Sequence, residues 1–269
     1  MSPYRHNNTF PQDPASTAPI PGEGGAGRMR PVNVGHRQGN GLETDRRGTA
    51  VKICGITREE DALFAIRCGV QALGFIFYPR SPRCIEPERA RSIIDRLPAV
   101  PEETPLLPCP VFPFPGRVAT VGVFVNEKPE RILEIADYCG LDLIQLHGDE
   151  SPEDCRILPR GRLIKALPLE RPADLERLRN YPVRAVLADV REKGKYGGTG
   201  KRVDWILAAQ ATKLVPLILA GGLAPENIRE AVAAVHPAAL DLNSGVESGP
   251  GIKDHQKIQA VTDLLHTES

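Results

Sequence analysis

One unit recurs along this chain: a short β-branched run followed by a stretch whose apolar residues fall at helical spacing. The runs are Ala50 to Cys54, Gln71 to Phe77, Val118 to Phe124, Asp142 to Leu146, Arg162 to Ala166, Arg184 to Asp189, Val215 to Ala220 and Ala238 to Leu242, eight in all. Stripes at i, i+3, i+4, i+7 follow several of them, as in Ala90/Ile93/Ile94/Leu97, Ile132/Ile135/Ala136/Cys139 and Ile228/Ala231/Val232/Val235. The pair Thr57 and Glu60 has the spacing of a capping box, and Pro87, Pro129 and Pro225 mark first turns. With a 20-residue proline-rich stretch set aside, successive runs begin on average 24 residues apart. Eight such units in series predict an α/β chain folded as a single (β/α)8 TIM barrel. An open doubly wound sheet is disfavoured, because the first run leads into Cys54-Gly-Ile-Thr57 and no GxGxxG occurs anywhere.

The two segments outside this repeat are rich in proline or glycine. Residues 1–49 hold 6 Pro and 8 Gly without a hydrophobic period, so a disordered tail is expected. A transit peptide is the lesser alternative, since Asp13, Glu23, Glu43 and Asp45 intersperse acids that such peptides lack. Residues 98–117 pack 7 Pro into 20 positions and read as an extended surface insert between helix 2 and strand 3. That places it on the N-terminal side of the barrel, away from catalysis, with residues 50–269 as the catalytic domain.

Composition narrows the partners. Basic and acidic side chains number 34 each, which gives no reason to expect nucleic acid or an anionic membrane. No run approaches the ~20 apolar residues needed to span a bilayer. Six cysteines without a CxxC pair suggest neither a disulfide framework nor a zinc site, and a cytoplasmic, reducing setting is expected.

In a barrel of this kind the active site is built at the C-terminal ends of the strands. The residues there are Cys54, Phe77 leading to Arg83, Asn126, Gln145 with His147, Lys165, Asp189, Gly221-Gly222 and Asn243-Ser244-Gly245. Cys54 reads either as a small buried apolar residue or as a base. Asp189, after the apolar Ala185-Val-Leu-Ala188, is either a loop cap or a catalytic acid. A thiol and a carboxylate from strands 1 and 6 suit a base and an acid on opposite sides of a substrate. Arg83 is either solvated or a planar fork for a carboxylate or phosphate. His147 is either a substrate contact or a loop anchor. Three glycine-rich turns, Tyr196 to Gly200, Ala220 to Leu223 and Asn243 to Val246, together favour a phosphate site over three unrelated tight turns.

These motifs are familiar as a set. Lys52-Ile-Cys-Gly-Ile-Thr57, Gly74-Phe-Ile-Phe-Tyr-Pro-Arg-Ser-Pro-Arg83, Val121 to Asn126, Gln145-Leu-His-Gly148, Gly197-Gly-Thr-Gly-Lys201 with Asp204-Trp205, Ala220-Gly-Gly-Leu223 with Pro225-Glu-Asn227, and Ser244-Gly-Val-Glu247 with Lys253-Asp254 resemble the phosphoribosylanthranilate isomerase family of tryptophan biosynthesis. The resemblance covers Val51 to about Ile258. It implies an Amadori rearrangement of a phosphosugar substrate without metal or organic cofactor, in a monomer or homodimer. By motif, Cys54 would be the general base, Asp189 the general acid and Arg83 the holder of the anthranilate carboxylate. Gly198, Gly200, Gly222, Ser244 and Gly245 would bind phosphate, and His147 and Asp241 would be further substrate contacts. The chain departs from the common Ser-Ser-Gly by having Asn243 before Ser244-Gly245. A base at neutral pH also requires a depressed Cys54 pKa, expected from Lys52 on the same strand face.

Two other functions fit the sequence less well. The related phosphoribosyl-formimino isomerase of histidine synthesis would carry aspartates at both catalytic positions, and Cys54 argues against it. A barrel that merely binds a sugar phosphate would need neither Cys54 nor Asp189.

Overall fold

The computed structural model describes residues 49–99, 109–114, 116–189 and 203–266. The expected tail, apart from Thr49, and the glycine turn at 196–200 lie outside the described residues. Each β-branched run forms a strand: β1 (Ala50–Ile53), β2 (Ala72–Ile76), β3 (Ala119–Phe124), β4 (Leu143–Leu146), β5 (Leu163–Pro168), β6 (Ala185–Asp189), β7 (Leu217–Leu219) and β8 (Ala239–Leu242). The strands are parallel and pair in chain order, and β8 closes on β1. Helices α1 (Glu59–Arg67), α2 (Pro87–Ile94), α3 (Pro129–Cys139), α4 (Pro152–Ile157), α5 (Ala173–Leu178), α6 (Trp205–Ala211), α7 (Ile228–Val235) and α8 (His255–His266) follow the eight strands in turn. A small antiparallel pair, β9 (Glu247–Gly249) and β10 (Ile252–Lys253), lies between β8 and α8.

The helical stripes are buried as the periodicity requires: Ala90 and Ile93, all four of Ile132/Ile135/Ala136/Cys139, and Ile228, Ala231 and Val235. Pro87 and Pro129 open α2 and α3, and Asp204 caps α6 by accepting from the backbone N–H groups of Ile206 and Leu207. The capping box expected at Thr57 does not form. Arg58 is the N-cap of α1, and the Thr57 hydroxyl instead donates to the Gly251 carbonyl at 2.5 Å, tying α1 to the turn between β9 and β10. A complete capping box occurs at Ser151 and Asp154.

Strand alternation sends every second side chain into the lumen. Five strands begin with alanine there, at Ala50, Ala72, Ala119, Ala185 and Ala239. So small a layer leaves the floor unfilled, and the insert fills it. Cys109, Val111 and Phe112 are buried in one apolar cluster with those alanines. The Cys109 thiol donates to the Ala238 carbonyl, and Arg184 donates to the Pro110 carbonyl at 2.9 Å. The described second half of the insert is therefore a plug in the N-terminal end of the barrel, rather than an extended surface segment. Proline density had masked the apolar content of Val111-Phe112-Pro-Phe114.

Candidate active site

Above the alanine floor the lumen becomes polar. Lys52, buried on β1, donates to the Asp241 carboxylate of β8 at 2.8 Å, directly beside it in register. Burial opposes the lysine charge, but the carboxylate outweighs it and holds the Lys52 pKa above its ordinary value. Asp241 is thus committed to an ion pair within the barrel, with Asp189 and His147 as electrostatic neighbours.

Cys54 follows Lys52 on the same lumen face, its backbone N–H donating to the Leu242 carbonyl at 2.8 Å. The thiol is 4% exposed and packs with Ile76 and Val123. Gly74 on β2 makes this possible: a Cβ there would stand 2.8 Å from the Cys54 sulfur and 3.1 Å from Lys52 Cε. The expected depression of the thiol pKa is not found. Burial pushes the Cys54 thiol up, and Asp241 pushes the same way, while Lys52 and Lys253 pull it down without overcoming that. Charge on Lys52 is offset by its own carboxylate, so its proximity is worth less than sequence position suggests. The rate of alkylation of the unliganded protein at Cys54 should accordingly rise with a midpoint above the ordinary thiol value of about 8.5. A midpoint below that value in a pH series would contradict the burial argument.

Asp189 ends β6, three strands from β1 around the ring. Its carboxylate meets His147 Nε2 at 3.2 Å, and the other ring nitrogen, Nδ1, lies 2.9 Å from the Gln145 amide nitrogen. Leu143, Gln145 and His147 alternate along one face, which carries the chain Gln145–His147–Asp189 onto the lumen. Lys165 is the exception among the rim residues. It alternates with the lumen residues Ile164 and Ala166 and so points outward, where it donates to Glu150 at 2.9 Å and to the Gly148 carbonyl at 2.9 Å. Glu150 in turn accepts from the backbone N–H groups of Asn126 and Gly148, bracing the loops after β3 and β4.

Arg83 is not a solvated arginine. Its Nε and Nη2 grip the Glu247 carboxylate at 2.7 to 3.0 Å, leaving Nη1 outside that pair. Lys253 donates to the same carboxylate at 2.8 Å and to Asn243 Oδ1 at 3.0 Å. Burial works against the Glu247 charge, yet Arg83 and Lys253 hold its carboxyl below the usual range. Two cations sharing one carboxylate leave this three-residue cluster with a net positive charge, suited to an incoming anion.

Of the expected phosphate ligands, Gly222 has φ +65, a left-handed conformation that favours glycine. Ser244 and Gly245 form a single 3-10 turn after β8. A Cβ on Gly245 would overlap the Leu223 carbonyl oxygen, so the loops after β7 and β8 are pressed together. Gly198 and Gly200 lie outside the described residues. What the sequence left unassigned are the roles of Gly74, Glu247, Lys253 and Gln145. Only strand register could have flagged the first and last, and the pairing of Arg83 with a residue 164 positions away leaves no local signal.

Comparison with known proteins places these features. A family model described as N-(5'-phosphoribosyl)anthranilate isomerase matches residues 113–263. A protein of that name from Syntrophus aciditrophicus is 52% identical over 213 residues, which cover 79% of this chain and 85% of the relative. A crystal structure of the Thermotoga maritima phosphoribosyl anthranilate isomerase superposes with a TM-score of 0.69 at 40% identity, covering 81% of this chain and 99% of that one. A crystal structure of a phosphoribosyl anthranilate isomerase in complex with reduced 1-(o-carboxyphenylamino)-1-deoxyribulose 5-phosphate gives a TM-score of 0.65 at 39% identity over the same shares.

Proposed function

Because the chain belongs to the phosphoribosylanthranilate isomerase family and carries out the Amadori rearrangement of N-(5'-phosphoribosyl)anthranilate in tryptophan biosynthesis, we propose that Cys54 and Asp189 divide its proton transfers. The observation that carries this division is the lumen geometry: a thiol on β1 and a carboxylate–imidazole pair on β6 and β4 flank one polar mouth. Asp189 gives its proton to the ribose ring oxygen as the C1–O bond breaks and the nitrogen lone pair forms a C1–N double bond. The Cys54 thiolate then takes the proton from C2, and those electrons return the C1–N bond to an enolamine. Ketonisation moves a proton from the C2 hydroxyl to C1; the substrate has gained one proton from Asp189 and lost one to Cys54, and exchange with solvent returns each group to its starting state.

Arg83 offers Nη1 to the anthranilate carboxylate while Glu247 fixes the plane of its guanidinium. The phosphate rests on Gly222, Ser244 and Gly245, together with Gly198 and Gly200, which follow β6 in sequence. His147 lies against Asp189, and Asp241 acts on the substrate side only through Lys52 and the local field. Six free thiols fit a reducing, cytoplasmic location.

The acid is tested by following the fluorescence of phosphoribosylanthranilate as it is consumed. Asp189→Asn should lose on the order of 10² to 10⁴ in kcat, with the reduced product analogue still bound as tightly as by the wild type. Turnover at the wild-type rate would remove Asp189 from the reaction.

A further inference from the structure

Gln145 is 1% exposed, yet its Oε1 is buried without a hydrogen-bond partner, while its Nε2 lies 2.9 Å from His147 Nδ1. Buried side-chain oxygens are normally satisfied, and one that is not calls for a reason. A half-turn of the amide exchanges its oxygen and nitrogen with almost no change of shape. We infer that Gln145 is a positioning residue whose amide orientation decides which nitrogen of His147 carries a proton, and thereby whether the His147–Asp189 pair holds the proton that Asp189 delivers. The inference rests on the reading of Asp189 as the acid.

The two orientations differ by one proton. With the amide nitrogen toward Nδ1, the amide donates and Nδ1 must be bare. The ring is then neutral, its Nε2–H donates to Asp189 at 3.2 Å, and Asp189 is an ionised carboxylate with nothing to give. With the oxygen toward Nδ1, that nitrogen keeps its hydrogen and donates to Oε1. His147 Nε2 and Asp189 can then share a further proton between them, held on either partner. Oε1 becomes satisfied in the same movement. Among the described residues, the charged groups facing this pair are Asp241 of β8 and, behind it, Lys52 of β1. Lys165 and Glu150 lie on the outer side of the strands and brace the backbone around His147. Asp241 is close enough to both Asp189 and His147 to interact with them electrostatically.

The test joins nitrogen NMR of ¹⁵N-histidine-labelled protein to kinetics, with the His147 signal assigned by its loss in His147→Gln. In the wild type Nδ1 should carry a proton throughout the pH range of turnover. Gln145→Leu, which keeps the volume and removes the acceptor, should lose that preference and about tenfold in kcat, with KM changed by less than about threefold. Gln145→Glu restores an acceptor for Nδ1–H, and should keep this tautomer and move the His147 titration upward by about one pH unit or more. A bare Nδ1 in the wild type, or an unchanged tautomer and pH profile in Gln145→Leu, overturns the inference. Asp189→Asn made in parallel keeps the two readings apart: full turnover there removes the acid, whereas the tautomer result stands on the NMR alone.

Discussion

Cys54→Ala should lower kcat by a factor on the order of 10² to 10⁴ while the protein keeps its fold and its affinity for the reduced product analogue. The substitution removes one sulfur from a well-packed spot between Ile76, Val123 and Gly74, so the structural cost is small beside the chemical one. Steady-state turnover of phosphoribosylanthranilate measures the first quantity and analogue titration the second. Activity at the wild-type level in Cys54→Ala would end the assignment of this thiol as the base. The raised thiol pKa adds a sign to the expectation. At neutral pH only a minor fraction of unliganded protein holds the thiolate, so kcat/KM should climb as pH rises above neutrality. The Lys52 and Lys253 ammonium groups act in the direction that enlarges that fraction, and each is itself buried.

Phe112→Ala should destabilise the barrel by about 3 kcal/mol or more, the usual cost of emptying a buried aromatic site. Phe112 is 5% exposed and sits among alanines that have no longer side chains with which to close the gap. Urea denaturation monitored by circular dichroism gives the change, which should appear as a lower midpoint with little change in slope. Turnover at 25 °C should stay near the wild-type value, because the plug occupies the end of the lumen opposite the catalytic mouth. A midpoint unchanged from the wild type would mean that the floor closes without the insert.

The barrel itself was legible because its signals are local. Runs such as Thr120-Val-Gly-Val-Phe124 and Ala185-Val-Leu-Ala188 announce strands, and the stripes on α3 and α7 announce the faces that cover them. Cys54 and Asp189 could be singled out because each ends a strand run, Asp189 after an unbroken apolar stretch, while the role of Cys54 as base came with the family resemblance. What escaped depends on which strands are neighbours and how they are staggered. Gly74 matters only because β2 lies against β1 at Cys54, and Glu247 matters only because the loop after β8 reaches Arg83. The insert escaped for a different reason. Seven prolines in its 20 residues pointed to an extended surface segment, but proline density says nothing about whether Val111 and Phe112 point outward or into a lumen too wide for its alanines.

The Lys52–Asp241 pair bears on how the ring comes to close at one stagger and no other. It joins the first strand to the last, 189 residues apart, so it can form only when all intervening strands are in place. Sliding β1 along β8 by a residue would set the lysine beside Leu240 or Leu242 and strand an ammonium group in an apolar interior. A buried charge without its partner costs several kcal/mol, which is comparable to the net stability of many domains. The pair therefore acts as a keyed seam: mis-staggered closures are penalised more heavily than the correct one is rewarded, and the same register lets the Cys54 backbone N–H meet the Leu242 carbonyl at the mouth.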